Sequence, residues 1–307
     1  MNRRAFILKT AGLALTAYVS PSLVRASAAQ DKTDRIAMGT LIMRYRFKQT
    51  RPKEMKTIPS ELTLLDVPQY YRDRFKVRQI EFWSNHFESI EPNYLAKVLN
   101  SIKAADTKLV DVQFDFDYDL ADPNESKREQ SVKTVRQWID ACAFLGSECV
   151  RVNPGRPRGS VENSIKSLKE VAGYAKSKNI TVITANHFGL EMNADTHVKI
   201  VKEVGQNIYT EPDFGNYPHK TEAQTAAMFE SLAKVIPYAY IISAKAEYFS
   251  PDVSKHTSYD FDKCVKMCEE AGFKGRYMVS QYADKYQPID YEKAADWIIE
   301  HLKANMK

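Results

Sequence analysis

Between residues 35 and 302 the chain alternates eight times between a short β-branched apolar run and a longer stretch with apolar residues every three or four positions. The first pattern has the period of a buried strand and the second that of an amphipathic helix. Strands are predicted over residues 35–43, 77–83, 108–116, 149–153, 180–185, 208–211, 239–244 and 276–281. Helices are predicted over 59–75, 94–105, 122–145, 161–178, around 197–204, and over 223–235, 259–271 and 291–302. Asp122-Pro123 reads as a helix start and Gly146 as its stop. Eight strand–helix units in one chain of this length fit a (β/α)8 TIM barrel better than an open sheet. No domain boundary or repeat of short period interrupts them, so residues 30–307 are expected to form a single barrel domain.

Residues 1–29 have a different character. Arg3, Arg4 and Lys9 precede an apolar stretch from Thr10 to Val24, followed by Ala26, Ser27, Ala28 and Ala29. A charged start, a short apolar region and small residues at a cleavage site mark an export signal, and Arg3-Arg4 with Phe6 gives it twin-arginine type. The mature protein is therefore expected outside the cytoplasm, in the periplasm or otherwise exported. No later run approaches the roughly 20 apolar residues of a membrane span, so no membrane attachment is expected once the signal is removed.

The leader also explains the charge. Of 44 basic residues four lie in it, against 39 acidic residues that all lie outside it. Without the leader the balance is close to neutral and there is no long basic run, which gives no electrostatic reason to expect nucleic acid as a partner. Cys142, Cys264 and Cys268 fall at helical core positions and Cys149 begins a strand, with no His at zinc-site spacing. Buried free thiols are expected, not disulfides or a metal centre.

In a barrel of this kind, side chains at the carboxyl ends of the strands converge on one crevice. Those ends carry Trp83, Asn85 and His86; Asp115 and Asp117; Arg151 and Asn153; Asn186 and His187; Asp213 and Asn216; Ser243, Lys245 and Glu247; and Gln281 with Tyr282. A ring of hydrogen-bonding groups with an indole as a stacking surface suits a polyhydroxylated ligand. The basic segment 44–58, which follows the first strand, is expected to be a solvated loop on the same face.

Five segments carry a more specific likeness: residues 138–146 (WIDACAFLG), 150–153 (VRVN), 186–189 (NHFG), 212–216 (PDFGN) and 243–245 (SAK). In this order and spacing the chain resembles the sugar phosphate isomerase/epimerase family with the xylose isomerase-like barrel, in particular its exported branch. The resemblance implies a divalent metal held by a Glu before the Asn-His, the Asp of the sixth strand, a His on the seventh and a Glu on the eighth. Two Glu would then move a proton next to a sugar carbonyl. Here those positions hold Ala185, Asp213, Ser243 and Gln281. One carboxylate is a poor site for a hard divalent ion, so neither a metal nor another cofactor is expected.

With the metal position depleted, Lys245 becomes the candidate positive centre, paired with Asp213 and directed at a sugar oxygen. The expected catalytic groups are Lys245, His187 and Asp213, with His187 and Lys245 moving protons or stabilising an oxyanion and Asp213 orienting Lys245. Trp83, His86, Arg151, Asn153, Asn186, Asn216 and Gln281 are the expected substrate-binding residues. The expected function is a sugar isomerase/epimerase-like enzyme on a small-molecule carbohydrate, with a non-catalytic sugar-binding barrel or a keto-sugar lyase as alternatives. The related endonuclease branch needs more His and carboxylate ligands than this chain supplies.

Overall fold

The computed structural model describes residues 32–55 and 60–307; the leader expected at 1–29 lies outside the described residues. The eight strands are β1 (Ile36–Gly39), β2 (Gln79–Trp83), β3 (Lys108–Gln113), β4 (Cys149–Arg151), β5 (Thr181–Ala185), β6 (Ile208–Glu211), β7 (Ile241–Ala246) and β8 (Arg276–Gln281). The helices that alternate with them are α1 (Val67–Phe75), α2 (Pro92–Ala104), α3 (Glu125–Leu145), α4 (Val161–Ser177), α5 (Ala194–Val204), α6 (Glu222–Val235), α7 (Phe261–Glu270) and α8 (Tyr291–Asn305). All neighbouring strands pair in parallel, in the order β6-β5-β4-β3-β2-β1-β8-β7. This is the eight-stranded barrel that the alternation predicts.

The seam between β6 and β7 closes by isolated bridges, Thr210 to Ala239 and Asp213 to Ser243. Pro212 has no N–H to give a ladder, so regular pairing stops at Glu211. The backbone nonetheless continues across, with Ser243 N–H donating to Pro212 O at 3.0 Å and Phe214 N–H to Ser243 O at 3.2 Å. This interrupted seam presents Asp213 at the barrel rim beside β7.

Apolar side chains pack in two places. Most fill the layer between sheet and helices, while Ala37, Val110, Cys149, Ile183, Ile241 and Met278 form a separate plug inside the barrel. Since strand side chains alternate between faces, the inward positions above the plug are those that can reach the carboxyl-end crevice. On β3 the register jumps from Ile80↔Leu109 to Glu81↔Asp111, leaving Val110 as an extra bulge residue. Val110 joins the plug, and Asp111 faces Glu81 above it.

Five expectations are corrected. The first strand ends at Gly39, and Thr40–Arg46 winds into a 3-10 helix. Arg44, expected in a solvated loop, is buried and donates to the backbone and side-chain oxygens of Gln281 at 2.6 and 3.0 Å. Helix α1 starts at Val67 because Pro68 is accepted in the first turn, not the interior. Helix α3 starts two residues later than Asp122-Pro123 suggests, since Asn124 accepts the Lys127 N–H as N-cap. The seventh strand is displaced to Ile241–Ala246, which makes Lys245 part of it.

All four cysteines are buried free thiols. Among the described residues, no helix is long and apolar enough to cross a membrane.

Candidate active site

A cavity of about 470 Å³ opens at the carboxyl ends of the strands. Seven of the ten expected site residues line it: Trp83, Arg151, Asn153, His187, Asp213, Asn216 and Lys245. They form two groups around the rim.

The first group is built around Asp115, which follows β3. Its two oxygens accept a forked pair from Arg151 Nη2, both at 2.8 Å. They also accept from Trp83 Nε1 at 3.0 Å, Gln113 Nε2 at 2.9 Å and Asn153 Nδ2 at 3.1 Å. His187 Nδ1 stands 3.9 Å away. Burial alone would raise the Asp115 carboxyl, but the Arg151 charge, the nearby His187 and the hydrogen bonds from Gln113 and Asn153 together outweigh it and hold the group well below the usual carboxylate range. Three strand ends are thus fixed around one anion, with His187 from a fourth nearby.

Burial, reinforced by the Arg151 charge, lowers the His187 imidazole to about 4, although Asp115 pulls the other way. His187 is therefore neutral at ordinary pH and able to accept a proton. Its loop is tied from below, because Glu191 accepts the N–H of His187 at 3.2 Å and of Gly189 at 2.9 Å. Gly189 admits no side chain, since a Cβ there would stand 2.0 Å from Gly155 O. Phe188, between His187 and Gly189, adopts φ 64, a left-handed conformation uncommon for a bulky residue, and is 61% exposed.

The second group joins β6 and β7. Lys245 Nζ lies 3.8 Å from Asp213 Oδ1, and both side chains are only 6% exposed. Asn216 links them: its Nδ2 donates to Asp213 Oδ2 at 2.8 Å, and its Oδ1 accepts from Lys245 Nζ. Asp213 Oδ1 has no hydrogen-bond partner among the described residues, nor has Asn153 Oδ1 in the first group. Both acceptors belong to residues that line the cleft. Burial raises the Asp213 carboxyl, with Lys245 and Arg151 opposing the rise.

The other three expected binding residues do not reach the cleft. Gln281 follows inward-facing Ser280 on β8, so strand alternation turns it outward; its amide donates to Glu247 O at 2.6 Å and it accepts from Arg44. Asn186 lies out of phase with His187 and is fully buried, exchanging hydrogen bonds with the Asp213 backbone at 2.8 and 3.1 Å. It braces Asp213. His86 sits in a 3-10 turn, stacked on Phe47 at 3.7 Å with both ring nitrogens bonded to Thr40 and Thr50 at 2.9 Å. Burial lowers it to about 3. It is a structural imidazole.

The cleft also uses Gln113, Phe116, Tyr118 and Ser280, which the sequence reading does not single out, and Asp115 and Tyr282, which it places in the rim of polar groups without a specific role. Asp115 and Tyr282 stand at strand ends in the sequence, and only their position there signals them. The Tyr282 ring lies between two cations, 4.9 Å from the Arg44 guanidinium carbon and 6.0 Å from Lys245 Nζ.

Residues 74–304 match the family described as the xylose isomerase-like TIM barrel. The chain belongs to that family. Among solved structures it is similar to an L-ribulose 3-epimerase, with a TM-score of 0.64 and 14% identity over 88% of this chain and 95% of that one. It is also similar to a xylose isomerase-like TIM barrel protein from Mycobacterium smegmatis in complex with magnesium, at TM-score 0.61 and 14% identity over 89% and 98% of the two chains. At these identities the likeness is one of fold. A probable endonuclease 4 from Aquifex aeolicus is 33% identical over 90 residues, which span 28% of this chain and 32% of that relative's length.

The residues present do not fit the divalent metal that the family resemblance implies. Ala185 offers no donor, Ser243 is neutral and Gln281 faces away, which leaves Asp213 with an ammonium already beside it. Below the cleft, Glu81, Asp111 and Glu211 bring carboxylate oxygens within 4.8 Å of one another. They are 0–2% exposed, sealed between the apolar plug and Arg151, whose Nε stands 4.0 Å from Glu211. Burial drives all three upward, towards the protonated form, and the negative neighbours of Glu81 and Glu211 add to it. Arg151 lies between this layer and Asp115, and none of the three carboxylates lines the cleft.

Proposed function

We propose that the protein is a sugar isomerase/epimerase-type enzyme that acts on a carbohydrate outside the cytoplasm without the divalent metal usual in its family. The observation that carries this reading is the Lys245–Asp213–Asn216 group facing the neutral His187 across one aromatic-walled cleft. Isomerisation and epimerisation both require removal of a proton next to a carbonyl and stabilisation of the oxyanion that forms. Lys245 supplies a buried positive charge where that oxygen would carry its developing charge, and Asp213 with Asn216 fixes its direction. His187, neutral and oriented towards Asp115, is the proton acceptor. Arg151 and Asn153 position the ring hydroxyls, and Trp83 provides a flat face for the sugar ring.

Family membership and the epimerase among the similar structures support the reaction class. The near balance of charge outside residues 1–29 supports a small sugar over nucleic acid. The export expectation rests on Arg3-Arg4 and the apolar run behind them. It is tested by fractionation of cells expressing the full chain, where retention of the whole protein in the cytoplasm would refute it.

The deciding experiment is turnover of a panel of aldoses, ketoses and keto-sugars by the purified protein, compared with Lys245→Ala and Asp213→Ala. Turnover abolished in both variants is the expected result. No turnover on any sugar, with or without added divalent metal, would overturn the enzymatic reading. One observation favours a second reading, a sugar-binding barrel: Ala185 and Gln281 leave the cleft without the paired Glu of the family. Calorimetric binding of a sugar without turnover would select it. Cleavage of a duplex carrying an abasic site would contradict both.

A further inference from the structure

The cleft does not end at Lys245. Beyond it lies a second cavity of about 890 Å³, and the two share Phe188, Asn216, Lys245 and Tyr282 as a common wall. Each chamber separately falls within the roughly 300–1,000 Å³ that a ligand site for one drug-sized molecule spans. A monosaccharide bound against Asp115 and Lys245 therefore leaves the second chamber to solvent.

The outer chamber is lined for a polar ligand. His219 Nε2 and Glu247 Oε2 pair at 2.7 Å with side chains 13% and 16% exposed, and hydroxyl-bearing Tyr248 and Thr257 stand nearby. The junction is flanked by two exposed aromatic rings, Phe188 and Tyr282. Phe188 has a left-handed backbone, and Glu191 holds the N–H groups on either side of it. Aromatic faces at a junction between two polar chambers suit the apolar faces of sugar rings, with hydroxyl groups turned to either side.

We infer that the substrate is a carbohydrate of at least two rings, with the reacting ring over Asp115, Arg151 and Lys245 and the second ring in the chamber beside His219 and Glu247. This inference rests on the carbohydrate reading of the site and specifies its substrate class. Phe188 and Tyr282 flank the linkage, and the outer chamber selects against single sugars.

The test is calorimetry on the full chain with D-glucose and methyl glucoside against maltose, cellobiose and sucrose, alongside the variants Thr257→Trp and Gln224→Trp, which add bulk to the outer chamber from the segment between β7 and α7 and from α6. At least one disaccharide is expected to bind about tenfold or more tightly than either single-ring probe. That advantage should vanish in the filled variants while single-ring affinity stays unchanged, which also shows that they fold. Single-ring sugars binding as tightly as every disaccharide, or an advantage that survives both variants, would overturn the inference and leave the carbohydrate reading intact. Binding of none of these sugars would count against both.

Discussion

The ammonium of Lys245 stands 3.8 Å from the Asp213 carboxylate, and both are almost out of contact with water. A pair this deep loses much of its solvation, and removing one partner leaves the other charge buried alone. Lys245→Met is therefore expected to lower stability by about 3–5 kcal/mol. Lys245→Met combined with Asp213→Asn should cost less than the single change. Denaturant unfolding of the two singles and the double gives the coupling, and purely additive costs would mean that the pair does not interact.

Asp115 joins side chains from three strand ends. Asp115→Asn keeps the shape but removes the charge that faces Arg151, so a loss of about 2–4 kcal/mol is expected, together with weakened sugar binding. Arg151→Lys should also weaken binding, because an ammonium cannot reproduce the guanidinium contacts. Full activity in either variant would show that the cluster does not orient the site.

In the proposed reaction His187 sets the acid limit. The free side chain titrates near 6.5, whereas burial brings this one to about 4. Between those values the unfolded chain takes up a proton that the folded chain does not, so this group's contribution to stability falls as pH drops through that window. The imidazole stays neutral down to about pH 4, and the acid limb of the pH–rate profile should lie there. Nitrogen-15 NMR of the histidines reads the titration directly, and a His187 midpoint near 6.5 would remove its assignment as proton acceptor.

Glu191 behaves in the opposite sense. Burial raises it to about 7, against backbone hydrogen bonds that lower it. From the unfolded value near 4.5 up to about 7 the folded chain holds a proton that the unfolded chain has released. Its favourable contribution is complete below that window and is lost as pH rises through 7. Glu191→Gln should gain stability relative to the parent across this window, by about 3 kcal/mol at most. A pH-independent difference would place Glu191 in a solvated setting.

Two glycines separate backbone need from mere tolerance. Gly189→Ala drives a methyl group into Gly155 O and should cost about 1–3 kcal/mol while displacing His187. Gly173→Ala, inside α4 with nothing within 4 Å of the added atom, should stabilise by about 0.5–1 kcal/mol. Thermal unfolding of both tests this contrast, and equal effects would contradict it.

These expectations show where sequence pattern is informative and where it stops. The period of each segment is local, so the barrel and the boundaries of β6 and β8 were legible. Strand alternation was legible too, and applied strictly it would have placed Ser280 in the cleft and Gln281 behind it. What was not local was the fate of Arg44, whose burial against Gln281 depends on a partner 237 positions away. The Asp115 hub had the same character: an aspartate after a strand can cap a turn, and only the meeting of Trp83, Arg151 and Asn153 makes it a centre. His86 looked like its neighbours at the rim until Phe47 covered it.

The central claim is that an amine, and not a metal ion, supplies the positive charge opposite the sugar oxygen. Turnover of the best sugar from the panel, measured before and after exhaustive chelation, with metal content followed by elemental analysis, tests it most directly. Unchanged turnover in metal-free protein, lost on Lys245→Ala, is the result expected here. Activity that disappears with the metal and returns on adding a divalent cation would contradict it.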